Sequence, residues 1–462
     1  MQRKCGCRIG PPRYTDDVHS ATTPASTALL TDHYELTMVD AALQAGTAER
    51  RSVFELFARR LTGARRYGVV AGTGRLLEAI ERFRFGDAEL EFLRDRGVVR
   101  ERTLDWLADF RFSGNVWGYP EGEVFFPGSP LVTVESSFAE GVLLETLALS
   151  ILNADSAVAT AASRMVHAAH GKPLAEMGSR RTGEFSAVAA ARAAYIAGFS
   201  ATSNLEAGRR YGIPTMGTAA HSFTLLHDTE RAAFAAQIAA LGTDTTLLVD
   251  TYDIEQGVRT AIDVAGTELG AVRIDSGDLP VVVARVRRLL DELGATRTRI
   301  TVTNDLDEHT VAALAASPVD SFGVGTSVVV GSGTPTMGMV YKLVAHTDDA
   351  GGWVSVAKKS ADKVSVGGRK SVRRGLSDRG VATAELILLG DGPGGAEEGA
   401  ELAGSSREVL VPLVVSGEVR REHTGIDGIA AARERHRRCV QELPPVAMSL
   451  TRGDPAIPTE YR

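Results

Sequence analysis

The sequence predicts an α/β fold in which an irregular α/β barrel is joined to an α/β layer domain built from N- and C-terminal segments. Three observations predict it. Between Leu174 and Val329 the chain repeats one phrase: a short apolar run, a burst of polar and glycine residues at its end, then a helix-like stretch, the rhythm of parallel βα units. The flanking stretches lack that rhythm and mix strand-like and helical pieces. A length of 462 residues suits about three domain-sized units, or one large α/β unit with an attached domain.

The boundaries follow from the pattern. Residues 1–27 are polar, with Pro11, Pro12 and Pro24, and are expected as a disordered tail without the apolar core of a signal peptide. Residues 28–137 with 345–445 are expected to form the layer domain, 138–344 the barrel and 446–462 a C-terminal tail. Within the first segment, residues 28–46 read as a helix after Thr31-Asp32, closed by Gly46. Arg51 to Ala58 alternates as a strand, Thr73 to Phe83 is helical, and Asn115 to Glu135 reads as short strands joined by Pro-Gly turns. Phe138 to His170 is rich in Ala and Leu and predicts one or two long buried helices. Beyond Val340, WVSVAKKS, KVSVGGRKSV, ATAELILL and REVLVPLVV are strand-like, and the glycine-rich Asp391 to Ser406 reads as a flexible surface loop.

Composition narrows the classes of function. Lys and Arg number 51 against 58 Asp and Glu, a net charge of -7, which argues against a nucleic-acid footprint. No run of ~18 or more uncharged apolar residues suggests a membrane span. Cys5 and Cys7 are too close for the usual zinc spacing and Cys439 is remote, so free thiols and a cytoplasmic compartment are expected.

In a parallel βα array the polar bursts share one face, so residues scattered over the sequence converge on one pocket. Arg273, Asp275, Ser276 and Asp278 close one apolar run; carboxylates can accept from ribose hydroxyls or hold a magnesium shell, and Ser276 with the N–H groups around Gly277 can bind phosphate. Asp278 taken alone reads better as a helix cap. Gly323-Val324-Gly325-Thr326 suits a backbone nest for an anion or a plain tight turn. His221, in MGTAAHSF, shares the face with Asp250, Asp253 and Asp275 and could be a base, a metal ligand or a nucleophile toward phosphorus. Arg180 and Arg181 offer fixed positive charge able to fork onto a carboxylate or stack on a ring. Asp253 reads as a helix cap and Asp250 as a functional carboxylate.

Taken in order, TDHYELTM, PEGEVFFPGSPL, EMGSRRTGE, GTAAHS, VDTYD, RIDSGDL, TND, FGVGT and MVYKL closely resemble nicotinate phosphoribosyltransferases, from about Leu29 to Arg374. The resemblance implies phosphoribosyl transfer from 5-phosphoribosyl 1-diphosphate to nicotinate, with Mg2+ and coupled ATP hydrolysis, for NAD salvage. It also implies a homodimer with shared active sites, and small-molecule substrates rather than nucleic acid or membrane. By the same resemblance His221 is the histidine phosphorylated by ATP. Arg180 and Tyr34 sandwich the pyridine ring, Tyr34 from the neighbouring subunit, with Ser203 and Thr218 at the ring pocket. Arg273, Asp275, Ser276, Asp278, Asn304, Asp305, Gly323, Gly325 and Thr326 hold the phosphoribosyl donor, and Asp250 lies near the magnesium, directly or through water or diphosphate. Val366-Gly367-Gly368-Arg369-Lys370 lacks the proline this family's basic loop carries before its glycine. Nicotinamide phosphoribosyltransferases are the nearest rival; they carry an aspartate where this chain has Ser203, which can donate to a carboxylate that an aspartate would repel. A metal-dependent barrel lyase or hydrolase, and a silent regulatory homologue, are the remaining alternatives.

Overall fold

The computed structural model describes residues 25–358, 366–394 and 405–462. Residues 1–24 of the expected tail, with Cys5 and Cys7, the KVS of KVSVGGRKSV and most of the glycine-rich segment lie outside the described residues. Residues 25–27 already belong to the fold, since Thr27 is buried and its hydroxyl donates to the Ala79 carbonyl.

The repeated phrase folds into a curled parallel sheet. Its strand order is Ala201–Thr202, Leu174–Glu176, Ser321–Val324, Arg299–Val302, Ala271–Ile274 and Thr246–Leu248, every pairing parallel. Pairing of the last strand of the series with the first is the contact that closes a barrel. Closure stays incomplete at one seam. A single bridge, Thr202 to Thr215, stands where another strand would be, beside Pro214, which has no N–H to offer a ladder. Outside the sheet, helices Ile254–Ala265 and Leu279–Glu292 bury Val258, Ala261 and Ile262, and Val282, Val283, Val286 and Leu290. Those positions recur at helical spacing and cover the apolar strands.

The Ala-rich segment becomes two helices. A capping box between Ser137 and Glu140 starts Phe138–Val142, and Glu145–Ala168 follows. By length and composition this stretch could cross a membrane, but most of it is buried inside the protein. Small residues on it and on Glu184–Ile196, among them Ala161, Ala162, Ala190 and Ala194, share one core and allow close helix approach.

Arg51–Ala58 is a central strand of a seven-stranded antiparallel sheet, between Met339–Thr347 and Val132–Ser137. It is buried on both faces apart from Arg51 and, in part, Phe57, so its internal carboxylate requires a partner. Lys370 Nζ supplies it, 2.7 Å from Glu55 Oε2; burial still pushes the Glu55 pKa up to about 7. A smaller sheet joins Ser405–Glu408, Lys370–Leu376, Ala382–Leu389 and Thr459–Tyr461.

The expected boundaries shift at three places. The layer sheet takes the chain from Met339, before residue 345. Helix Gly425–Gln441, expected in the layer domain, packs on barrel helices, with Ile429 and Ala432 in one cluster with Val188, Ala207 and Tyr211. Residues 446–462 are not a tail: Ile457 is buried in the barrel core and Thr459–Tyr461 pairs in parallel with Ala382–Leu389. The expected loop at Asp391 to Ser406 also ends early, because Ser405 and Ser406 already pair as a strand.

Candidate active site

The strand ends meet in one cavity of about 490 Å³. Arg180, Ser203, Thr218, Arg273, Asp275, Asn304, Asp305, Gly323, Gly325 and Thr326 all line it, so ten expected site residues from distant parts of the sequence share one wall. Arg181 joins them, which sets three guanidiniums against the carboxylates of Asp275 and Asp305. Such a wall suits an anionic ligand that also presents hydroxyls.

Each side chain is placed by its own strand end. Glu176 accepts from the Gly178 N–H and the Thr202 hydroxyl, at 2.5 and 2.6 Å. Asn204 caps helix Leu205–Tyr211 through the Ala207 N–H and donates to Ser179 Oγ. Arg273 leaves its strand sideways, with Nη1 donating to Thr218 Oγ1 at 2.6 Å and to the Ala219 carbonyl at 3.4 Å. Burial lowers its pKa, against the pull of Asp275 and Asp250, and its Nε has no hydrogen-bond partner. Asn304 and Asp305 hold φ of 93° and 41°, a left-handed pair without glycine that costs about 1–3 kcal/mol for each residue. Gly323 has no room for a side chain, since a Cβ would lie 2.6 Å from Met177 Sδ and 2.7 Å from Thr303 Cγ2.

His221 opens helix His221–Leu226 at the seam. Its Nε2 is 3.9 Å from Asp250 Oδ1 and 3.8 Å from Asp275 Oδ2, and Nδ1 is 3.2 Å from Thr251 Oγ1. Asp250 is fully buried at its side chain. Its Oδ2 accepts from the Asp275 N–H and Ser276 Oγ, at 2.8 and 2.7 Å, while Oδ1 has no hydrogen-bond partner and faces the imidazole. Asp250 therefore lies behind the cavity wall, bonded to Asp275 and Ser276 and beside His221.

Other expectations divide. Asp253 caps its helix, Oδ1 accepting from the Gln256 N–H at 2.8 Å. Asp278 occupies a cap position, yet its side chain makes no capping bond, and it does not line the cavity. Tyr34 lies outside the cavity on helix His33–Ala45 and is 44% exposed; burial, Glu145 and Glu35 push its pKa up to about 12. The residue reading overlooked Glu176, Thr251 and Thr303, whose hydroxyl donates to Asp275 Oδ1. All three sit inside the polar bursts, and that position was the available signal.

A second cavity of about 390 Å³ adjoins Arg65, Arg164 and Glu308. Arg164 pairs with Glu308, and Arg65 donates to the carbonyls of Gly331, Thr334 and Thr336. Arg65 thus holds the loop that leads into the Met339–Thr347 strand.

A parallel barrel with an arginine-lined cavity at its strand ends is the architecture of an α/β enzyme of small-molecule substrates. The sequence profile of the nicotinate phosphoribosyltransferase (NAPRTase) N-terminal domain matches residues 29–153. A nicotinate phosphoribosyltransferase of Mycobacterium tuberculosis, pncB1, is 54% identical over 462 residues, spanning 98% of this chain and 99% of that protein. The Bacillus subtilis nicotinate phosphoribosyltransferase is 38% identical over 361 residues, 76% of this chain and 73% of that one. The crystal structure of human nicotinic acid phosphoribosyltransferase superposes with a TM-score of 0.77 at 26% identity, covering 94% of this chain and 97% of the other. The chain belongs to the nicotinate phosphoribosyltransferase family.

Proposed function

We propose that the protein transfers the phosphoribosyl group of 5-phosphoribosyl 1-diphosphate to nicotinate, giving nicotinate mononucleotide and diphosphate for NAD synthesis. The observation that carries this reading is the single cavity shared by Arg180, Ser203 and Thr218 with Arg273, Asp275, Asn304 and Asp305. The first group suits a planar anionic ring and the second a phosphorylated ribose. The ring nitrogen attacks the anomeric carbon, the bond to the diphosphate oxygen breaks, and diphosphate leaves with the electron pair. Positive charge then grows on the ribose and negative charge on the leaving group. Asp275 and Asp305 suit the first, and Arg181 and Arg273 the second.

ATP coupling through His221 is part of the proposal. The imidazole takes the terminal phosphoryl group of ATP, ADP leaves, and water later cleaves the N–P bond to release phosphate. The unpartnered Asp250 Oδ1 and the nearby Asp275 flank Nε2, where a carboxylate steadies positive charge that develops on the ring. A dianionic phosphoryl group near the diphosphate subsite changes local charge, and its loss restores the starting state.

Among the described residues no cluster of three or more His, Cys, Asp or Glu gathers as a metal cage. Asp275 on the wall, with Asp250 behind it, fits instead a magnesium ion carried by the substrate's phosphates, which such an ion commonly accepts with one or two carboxylates. Bound there, the ion would neutralise charge on the departing diphosphate.

A homodimer completes the reading. Phe185, Leu205 and Leu226 are 78%, 77% and 78% exposed, on helices that begin at the strand ends. Apolar exposure there suits a second copy of the chain, which would bring its own Tyr34 to the ring. The deciding experiment is a paired assay of the purified protein with nicotinate or nicotinamide, each with and without ATP and magnesium. Nicotinate mononucleotide should form, faster with ATP; equal consumption of nicotinamide overturns the substrate assignment.

A further inference from the structure

We propose that Glu176 is a positioning residue that locks the two turns carrying Arg180 and Ser203 into one rigid ring pocket, and so sets the discrimination for the pyridine carboxylate. The inference rests on the nicotinate reading above for its substrate, but not for its geometry.

Glu176 ends the Leu174–Glu176 strand and is fully buried. Burial raises its pKa, opposed only by hydrogen bonds from Thr202 and the Gly178 N–H. Among the described residues no cation pairs with it. A buried carboxyl with neutral partners adds little net stability and is costly when ionised, so thermodynamic stability gives no reason for an acid here. Its connections do.

One oxygen accepts from the Gly178 N–H, the start of the turn in which the Arg181 N–H returns to the Gly178 carbonyl. The other accepts from Thr202 Oγ1, which itself accepts from the Asn204 N–H at 3.0 Å. The Glu176 carbonyl meets the Ser203 N–H at 2.8 Å, and Asn204 Nδ2 crosses back to Ser179 Oγ at 3.0 Å. Thr202 extends the chain of contacts, its carbonyl accepting from the Met216 N–H at 2.9 Å, two residues before Thr218. Gly178 tolerates no movement inward, since a Cβ there would lie 2.2 Å from Val329 Cγ1. Arg180 and Ser203 are both exposed and have few contacts of their own to fix them, so the buried carboxyl beneath them sets their separation. Transition-state recognition falls steeply when such groups are misplaced by about 1 Å.

The test uses the full-length protein with E176Q, T202V and E176A. A carboxamide can accept from Gly178 and donate to Thr202 Oγ1, so E176Q should keep the nicotinate KM within about twofold of wild type. T202V, losing one link, should raise that KM about tenfold, and E176A, losing both, about 100-fold, with the donor KM within about twofold throughout. Nicotinate preference over nicotinamide should narrow in the same order. Equal increases in both KM values, or E176Q as impaired as E176A, overturn the proposal. Hydrogen exchange provides a readout without substrate: T202V should speed exchange at both Gly178 to Arg181 and Ser203 to Asn204. A change confined to one turn refutes the coupling even if nicotinate proves to be the substrate, and a change in both supports it even if nicotinate does not.

Discussion

Replacing Asp250 by asparagine isolates the contribution of one buried charge to His221. The substitution conserves shape, so the amide oxygen can still accept from the Asp275 N–H and Ser276 Oγ, now at 2.8 and 2.7 Å from Oδ2. Two charge-assisted bonds become neutral ones, which costs about 1 kcal/mol each, partly offset because an ionised group no longer needs burial. Stability should therefore fall by about 2 kcal/mol at most. The larger consequence is at the imidazole. A unit charge about 4 Å from a carboxylate gains about 4 kcal/mol at an effective dielectric constant of about 20. The His221 side chain is 40% exposed, so water screens that value to about 1.5–2 kcal/mol, while Asp275 at 3.8 Å remains in place. Developing positive charge on the ring loses that stabilisation, and phosphorylation should slow about 10–30-fold. The assay is ATP-dependent labelling of the protein with a γ-labelled nucleotide, alongside a thermal melt to show that folding survives. A folded D250N protein that is labelled at the wild-type rate refutes the argument.

Three further outcomes are expected. H221A should lose ATP hydrolysis and protein labelling but retain slow, uncoupled transfer; full coupling in that variant removes the phosphohistidine. S203D should raise the nicotinate KM at least about tenfold and improve use of nicotinamide, because an acceptor replaces a donor opposite the ring's substituent; unchanged preference places the determinant elsewhere. Glu230 is pushed up to about 7 by burial and by Asp253, with Oε1 unpartnered. Its folded pKa lies above the ordinary carboxylate value, so the folded state holds this proton more tightly and Glu230's contribution to stability falls as pH rises from about 4.5 to about 7. E230Q should accordingly melt higher than wild type at pH ~8 and near it at pH ~4.5, and a Tm difference independent of pH excludes this cause.

Much of the site was legible because one physical rule joins its parts: polar residues that end parallel strands share a face. His221, Arg273, Asp275 and the Asn304-Asp305 pair could be placed together from that rule before their distances were known. Individual strands were legible for a related reason. Arg51–Ala58 and Ala382–Leu389 were read with the ends they have in the fold, because apolar β-branched and aromatic runs there are bounded by turns or charge. Reading failed where the partner mattered more than the pattern. The face of helix Gly425–Gln441 that holds Ile429 and Ala432 signals burial, but not burial against the barrel. Nothing in PAIPTEYR announces that its last residues lie beside Ala382–Leu389.

The sequence by itself determined the α/β class, the repeated strands, the shared polar face and the family, because these depend on local periodicity and on residue types in order. Only the tertiary structure decided that the barrel stays open at the Thr215 seam and that the C-terminal segment buries Ile457 in the barrel core and pairs with Ala382–Leu389. It also decided that the buried Asp250 carboxylate lies beside His221 and that Glu176 bonds to two turns at once. Those are contacts between segments far apart in the chain, and their geometry depends on packing that no local pattern encodes.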